Sequence, residues 1–238
     1  MFCISHKDHC AKALAMAVFV MGLTLAPVAP ARCEPMPAII PEKTIALPEP
    51  RYTGEVSVEQ ALRERRSVRT YRDVPLKLNE ISQILWSAQG ITGTRGFRTA
   101  PSAGALYPLE LYLIAGKVES LSSAIYKYRP QDHALIEILP GDQRSPLSRA
   151  ALHQSAISRA PAVVLFCAVY DRTTGKYGQR GIRYVHMEVG HAAQNACLQA
   201  IALGLHTAVI GAFRDAEVKK IANLAADEQP LYFVTVGR

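Results

Sequence analysis

Three features of the 238-residue chain predict an α+β fold, with a mixed, mainly antiparallel central sheet wrapped by helices. Helical and extended patterns follow one another without the regular strand–helix–strand alternation of a doubly wound parallel sheet. The run "APAVVLFCAVY", residues 160–170, is apolar without a break, as a central strand covered on both faces must be. A long helical segment from Ile182 to Leu203 is apolar on two opposite faces. One face has Ile182, Val185, Val189, Ala193, Ala196 and Ala200 at spacings of three or four; the other has Tyr184, Met187, Leu198 and Ala202. Such a helix is covered on both sides, and in a chain of this length the second cover points to another subunit. His191, Gln194 and Asn195 interrupt the second face, either as a satisfied polar network between helices or as neighbours of a ligand.

In chain order, residues 1–31 read as a signal peptide. Lys7 and Lys12 precede an apolar run from Ala13 to Ala26, and Ala29-Pro30-Ala31 supplies a small-residue cleavage pattern. The run falls short of the roughly 20 residues that span a bilayer. The expectation is export, with a periplasmic mature chain and no stable membrane insertion; the alternative is an uncleaved anchor. Residues 32–55 hold Pro35, Pro37, Pro41, Pro48 and Pro50 and read as an extended linker or arm. The remaining residues, 56–238, form one domain. "SVEQALRERR" is a helix capped by Ser57. "LNEISQILWSAQG" is a second, capped by Asn79, buried through Ile81, Ile84, Leu85 and Ala88, and ended by Gly90. A turn-rich stretch leads to a strand over 109–115. "AIYKYRP" and "ALIEILP" form a hairpin around Gln131-Asp132. "PLSRAALHQSAIS" is a helix. "GLHTAVIGAF" and "PLYFVTVG" are strands, with the helix "DAEVKKIANL" between them.

The formal charge is +7, from 27 basic and 20 acidic residues. A mildly basic chain suits anionic small molecules, nucleic acid or a membrane surface. With no zinc-finger spacing, no RNA-binding aromatic signature and no basic tail, nucleic acid is not expected. The five cysteines (Cys3, Cys10, Cys33, Cys167 and Cys197) lack metal-ligand spacing, so no metal site is expected; Cys167 and Cys197 sit among apolar neighbours as buried thiols. The densest charge is "LRERRSVRTYRD", where Arg63, Arg65, Arg66, Arg69 and Arg72 surround Ser67. This is either a solvated helix face or an anion site gripped by guanidinium forks and a hydroxyl.

Five segments occur in one order: "RRSVRTY", "ILWSAQGIT", "RTAPSAGALYPLELYLI", "EVGHAAQNACLQAIALGL…VIGAF" and "PLYFVTVGR". Together, over Val56 to Arg238, they resemble the nitroreductase-like FMN flavoproteins, and most closely the SagB-type dehydrogenases. The best understood of these oxidise azoline rings in ribosomal peptide products. The resemblance implies a nitroreductase-like, homodimeric fold with FMN at the subunit interface. It places Arg65 and Ser67 on the FMN phosphate, with Arg66 contributing backbone and Arg69 near the pyrimidine edge of the flavin. Pro101, Ser102, Ala103 and Gly104 become a flavin-contacting loop that often reaches the partner's flavin, with Tyr107 over the substrate pocket and His191 a further pocket residue. Ile210, Gly211 and Ala212 lie along the ring face opposite the substrate, with the amides of Gly211 or Ala212 towards N5 and O4, and Arg238 reaches the phosphate.

The implied activity is two-electron hydride transfer through flavin N5, in ping-pong fashion, on a small organic or peptide-derived substrate. NAD(P)H or the substrate itself is the electron source. Because an exported protein meets no ready NAD(P)H pool, the dehydrogenase sense is favoured. The alternative is an exported flavin-binding module without physiological turnover. No residue reads as an obligatory acid or base. His186, His191 and His206 lack a carboxylate at triad-like spacing, His133 and His153 read as surface residues, and Tyr177 and Tyr184 flank the long helix as candidate pocket residues.

Overall fold

A computed structural model of the chain describes residues 43–238. The expected signal peptide and residues 32–42 of the expected linker lie outside them. The described residues begin with strand β1 (Thr44–Ala46), helices α1 (Val58–Glu64) and α2 (Leu78–Gln89) and a 3-10 turn (Ala103–Ala105). Strands β2 (Leu109–Ala115), β3 (Ala124–Arg129) and β4 (Ala134–Pro140) follow, then short helices α3 (Arg144–Ala150) and α4 (Ser155–Arg159). The last part holds β5 (Ala162–Val169), α5 (Asp171–Tyr177), the long α6 (Arg180–Ala202), β6 (His206–Ile210), α7 (Asp215–Ile221) and β7 (Glu228–Gly237).

The strands form one sheet in the order β1-β4-β3-β2-β5-β7-β6. Every pairing between them is antiparallel, and parallel contact is confined to the isolated bridges Ser67↔Thr207 and Leu76↔Val118. The apolar run is the centre: all eight residues of β5 are buried. Its side chains alternate between two cores, as strand geometry requires. Val164, Phe166 and Ala168 pack under α2 and α6, while Val163, Leu165 and Cys167 pack under α3, α4 and α7. The second helix lies on the first core through Ile81, Ile84, Leu85 and Ala88, and α6 through Val185, Val189, Ala193, Ala196 and Ala200. The buried thiols Cys167 and Cys197 are unbridged. Among the described residues no helix is long and apolar enough to cross a membrane.

The structure differs from the sequence expectations in five places. The expected continuous helix over 146–158 breaks into α3 and α4, because Leu152 and His153 both adopt left-handed backbone (φ 53° and 60°). The second helix starts two residues earlier than a cap at Asn79 requires. Asn79 is not its cap; Glu80 turns back instead and accepts from the Lys77 amide at 2.8 Å. Ile182 is exposed, and so are Met187, His191 and Gln194 on the opposite face of α6, so this chain covers only one side of the helix. The segment expected as an extended linker or arm supplies an edge strand, with Thr44, Ile45 and Ala46 opposite Ile136, Leu135 and Ala134. Finally, His133, expected at the surface, is half-buried and acts as the latch of this arm.

That latch begins in the hairpin turn, where His133 itself is left-handed (φ 49°). Its Nδ1 meets the Tyr128 hydroxyl at 2.8 Å, and its Nε2 meets the Ser82 hydroxyl at 2.7 Å and the Pro48 carbonyl at 3.1 Å. This set fits a neutral ring that accepts at Nδ1 and donates from Nε2. Further along, the Arg51 amide donates to Gln83 Oε1 at 2.8 Å, and Gln83 Nε2 returns a bond to the Arg51 carbonyl at 3.0 Å. Burial lowers the His133 pKa from its ordinary value. A histidine held neutral contributes stability above its unfolded pKa of about 6.5, and that contribution is lost as pH falls through its folded value. The wild-type urea midpoint should therefore drop more between about pH 7 and pH 5 than that of His133→Gln; equal slopes would show that the latch does not titrate.

Candidate functional site

The arginine segment is fixed to the β6–β7 edge by its own backbone and one tyrosine. Arg65 closes α1, its amide donating to the Ala61 carbonyl at 2.9 Å. Beyond it the chain extends: Ser67 bridges Thr207, and the Val68 amide donates to the Thr207 carbonyl at 2.9 Å. Tyr71 then turns inward. Its hydroxyl donates to the Val68 carbonyl at 2.7 Å and lies 2.5 Å from Thr235 Oγ1. Burial pushes this phenol up to about 12. The ring lies so close to Gly237 that a Cβ there would be 2.6 Å from Tyr71 Cδ1, which explains the glycine. The Arg72 amide finally donates to the Arg238 carbonyl at 2.5 Å.

The five arginines and the terminal one have different fates. Arg66 folds its guanidinium onto the Arg63 and Arg65 carbonyls at 2.9 and 2.8 Å. Arg63 approaches Glu64 at 3.5 Å in solvent. Arg238, expected on a phosphate, pairs instead with the carboxylate of Glu80. No acceptor among the described residues engages the guanidinium of Arg65, Arg69 or Arg72. Arg65 is half-buried, and its charge reaches the thiol of Cys197 on α6. The Ser67 hydroxyl is exposed between Arg65 and Arg69.

The same edge offers main-chain donors. Ile210 is buried at the end of β6, opposite Phe233, while Gly211 and Ala212 lie just past this last pair and are exposed. With a strand rise of about 3.3 Å per residue, they stand about 13–17 Å along the edge from Thr207. An elongated ligand with an anionic tail fits this separation, with the tail at Arg65, Ser67 and Arg69 and a flat head at the amides.

The 101–107 loop lies elsewhere along α6. Gly104 (φ 64°), Ala105 (φ 53°) and Tyr107 (φ 46°) are all left-handed, a costly arrangement for the two residues with a Cβ. Ser102 Oγ accepts from the Tyr107 amide at 2.9 Å, and Arg172 donates to the Tyr107 carbonyl at 3.1 Å. The Tyr107 hydroxyl accepts from the Arg98 amide at 3.2 Å, and the Arg98 guanidinium lies 4.7 Å from the ring centroid. Tyr107 is thus held at its amide, carbonyl, ring and hydroxyl. Arg172 is steadied by a charge network across the sheet: it meets Glu110 at 2.6 Å, Glu110 meets Lys127 at 3.2 Å, and Lys127 meets Glu228 at 2.5 Å. A Cβ added to Gly104 would lie 2.9 Å from Tyr177 Oη and 3.1 Å from Lys176 Nζ, so the glycine leaves room for a phenol and an ammonium from α5. Tyr177 and Tyr184 meet edge to face, their centroids 5.2 Å apart.

No hydrogen bond or ion pair joins Pro101, Ser102, Ala103 or Gly104 to Arg65–Arg69 or to Ile210–Ala212. The loop packs at Gly104 against Tyr177, just before α6 begins, whereas Ser67 bridges Thr207, just after α6 ends. A single chain therefore carries the two halves of the expected site apart. His191 is exposed on the open face of α6, and Asn195 donates to the Thr99 carbonyl at 3.2 Å. A cavity of about 340 Å³ lies beside that face, lined by Tyr52, Trp86, Asn195, Leu198 and Gln199. Sequence reasoning missed the arm's share of this cavity. It also missed Lys176, Arg98 and Glu188. Glu188 had a readable signal, because it falls between Val185 and Ala192 on the buried stripe of α6, where a carboxylate is out of place.

The segment that holds the unclaimed cations depends on Tyr71. Tyr71→Phe should lower unfolding free energy by about 1–3 kcal/mol, measured in urea, since the Val68 carbonyl loses its partner. An unchanged midpoint would mean that the backbone bridge to Thr207 suffices.

Comparison with known proteins places these features in context. A profile described as the nitroreductase family matches residues 62–238. A Methanocaldococcus jannaschii protein that bears a provisional nitroreductase name is 49% identical over 184 residues, covering 77% of this chain and 92% of its own. The microcin B17-processing protein McbC of Escherichia coli is 30% identical over 132 residues, 53% of this chain and 48% of that protein. The chain thus spans about half the length of that relative. Among solved structures, a provisionally named nitroreductase from Ralstonia eutropha superimposes with a TM-score of 0.73 at 29% identity, covering 83% of this chain and 90% of that one. The E. coli microcin synthetase McbBCD complex with truncated pro-MccB17 bound gives 0.63 at 25% identity, covering 79% and 74%.

Proposed function

The chain belongs to the nitroreductase family and is an oxidoreductase; on that premise, we propose that it is an FMN-dependent enzyme of the SagB-type dehydrogenase kind. It would move a hydride to or from a small organic or peptide-derived substrate. One observation supports this most: Arg65 and Arg69 stand unclaimed on either side of Ser67, on the edge that exposes the Gly211 and Ala212 amides. Cations without carboxylates and amides past the end of a ladder suit a phosphate and an electron-rich ring.

When bound, FMN supplies two-electron hydride transfer at N5. Arg65 and Ser67 bind the phosphate. Arg69 adds a fixed positive charge, which favours a ring that has gained electrons. Gly211 and Ala212 donate main-chain hydrogen bonds to the ring edge and orient it. Tyr177 and Lys176 pack at Gly104 beside the loop. Arg238 is reserved for Glu80 and is not part of the phosphate grip. NAD(P)H or the substrate itself is the hydride source, and an export signal in residues 1–31 favours the substrate.

The proposal includes a homodimer. It is supported by the open face of α6, where Met187 is 53% exposed, and by the separation of the 101–104 loop from the arginines along that helix. A second copy laid against this face can bring its own loop to the first copy's arginines. The peptide-bound microcin synthetase is the ground for including peptide-derived substrates.

The test is a visible spectrum of the purified protein, followed by anaerobic titration with NADH and NADPH. Arg65→Ala should lose bound FMN, with affinity falling at least about tenfold and the circular dichroism unchanged, because one charge-assisted phosphate contact is removed. Arg66→Ala should leave affinity nearly intact. A yellow Arg65→Ala protein would overturn the phosphate assignment.

A further inference from the structure

Arginines of this chain grip carboxylates through one edge of the guanidinium. Arg144 meets Asp142 through Nε at 2.9 Å and Nη2 at 2.6 Å, and Arg129 meets Asp132 through the same two atoms at 2.7 and 2.6 Å. Arg214 uses that edge on Glu217 as well. Arg98 is placed differently. It is half-buried, its Nη1 donates to Gln89 Oε1 at 2.7 Å, and its guanidinium lies 4.7 Å from the centroid of the Tyr107 ring. Its Nε and Nη2 have no acceptor among the described residues. Neither belongs to the buried atoms without partners, so this edge is reachable from outside. Burial lowers the Arg98 pKa from its ordinary value, against the opposing charges of Glu110 and Glu188. Neither carboxylate is within ion-pair distance, and Glu110 is already engaged by Arg172 at 2.6 Å and Lys127 at 3.2 Å. A cation partly withdrawn from water ordinarily has an anion beside it.

The surroundings carry the same sign. Residues 92–107 and 172–187 contain no Asp or Glu, but they hold Arg95, Arg98, Arg172, Lys176, Arg180 and Arg183. The two segments meet, because Arg172 donates to the Tyr107 carbonyl at 3.1 Å and Tyr177 and Lys176 pack at Gly104. Tyr107 is a costly support: it is left-handed (φ 46°) directly before Pro108, where extended backbone is the norm. Its ring backs the Arg98 guanidinium, and its hydroxyl accepts from the Arg98 amide at 3.2 Å.

We propose that Arg98 is a specificity-determining residue that binds a carboxylate of the ligand through its Nε–Nη2 edge, with the Tyr107 ring holding the guanidinium in place. Pairing on that edge supplies two parallel charge-assisted hydrogen bonds and one fixed orientation. The guanidinium is already immobilised by Gln89 and Tyr107, so little freedom is lost when the carboxylate arrives. The carboxylate can belong to a small organic acid or to an acidic side chain of a peptide. That this ligand is the substrate rests on the proposed function; the carboxylate site itself does not.

The experiment follows the arginine Nε–H signals of the full chain by NMR, without and with added FMN, with Arg98→Lys identifying the Arg98 signal by its loss. The probes are benzoate against benzamide, and a short glycine-rich peptide amide carrying Glu against the same peptide carrying Gln. The Arg98 signal should shift saturably with benzoate and stay in place with benzamide. A shift with the Glu peptide as well, and none with the Gln peptide, assigns the carboxylate to a peptide; a shift with benzoate alone assigns it to a small acid. Read on the benzoate proton signals, Arg98→Met should weaken binding by at least about tenfold, whereas Arg95→Met should leave it unchanged. If Arg98→Met fails to fold, the comparison of benzoate with benzamide in the wild type still decides. No saturable shift with either carboxylate, benzamide matching benzoate, or full affinity in Arg98→Met overturns the proposal. So does FMN that moves the Arg98 signal and blocks benzoate, since Arg98 would then belong to the cofactor site. Failure to bind FMN counts against the proposed function alone, because carboxylate binding is also read in the cofactor-free protein.

Discussion

The double burial of β5 is the constraint on which the other features rest. Eight consecutive side chains are removed from water, four to each side of the sheet. At about 25 cal/mol for each Å² of apolar surface buried, no arrangement that left either face open could compete. Helices must therefore cover both faces, and the longest of them, α6, crosses the face that α2 shares. Once α6 is in place, Glu188 and Cys197 become fixed marks on one rigid rod. The arginine segment takes its position from the β6–β7 edge that packs beside it, through Thr207 and Thr235. The polar features of the protein are thus ordered by an apolar decision.

The charge of "LRERRSVRTYRD" is divided among several uses. Arg63 and Arg66 are spent on local acceptors, and Arg238 is held by Glu80. What remains is a small set of guanidinium groups with no carboxylate beside them, pinned to a sheet edge by Tyr71 and Thr207. Arg69 and Arg72 are exposed; on the proposed function, this excess of positive charge is what meets the phosphate. The value of the site comes from rigidity: each cation hangs from backbone already fixed by β6 and β7, and little freedom remains to be lost when a ligand arrives.

Among the described residues, the buried side-chain polar atoms without partners lie on α2, α5 and α6. Trp86 Nε1 and Gln89 Nε2 are on α2, Thr173 Oγ1 is on α5 and Glu188 Oε1 is on α6. Gln89 also accepts from Arg98 at 2.7 Å, and Arg98 lies over Tyr107. Unsatisfied Gln89 and left-handed backbone at Ala105 and Tyr107 are thus joined through Arg98. Proteins tend to tolerate such costs at working sites and to avoid them elsewhere.

Much of this was legible in the amino-acid order alone. Strand β5, the 109–115 strand, the hairpin, the Ser57 cap and the core stripe of α6 are each set by periodicity and local chemistry, which act over a few residues. The family resemblance was equally local, a matter of short segments in register. Other features were decided only by the tertiary structure, because they depend on residues far apart in the chain. Pro48 meets His133 across 85 positions, and this turns a proline-rich stretch into a latched edge strand. Glu80 takes Arg238 from 158 positions away, a competition that no window on "VGR" could reveal. The exposed side of α6 follows the same rule. Its apolar residues announced a cover, but a single chain folds so as to cover only one face, since its other elements are already committed to the two sides of β5.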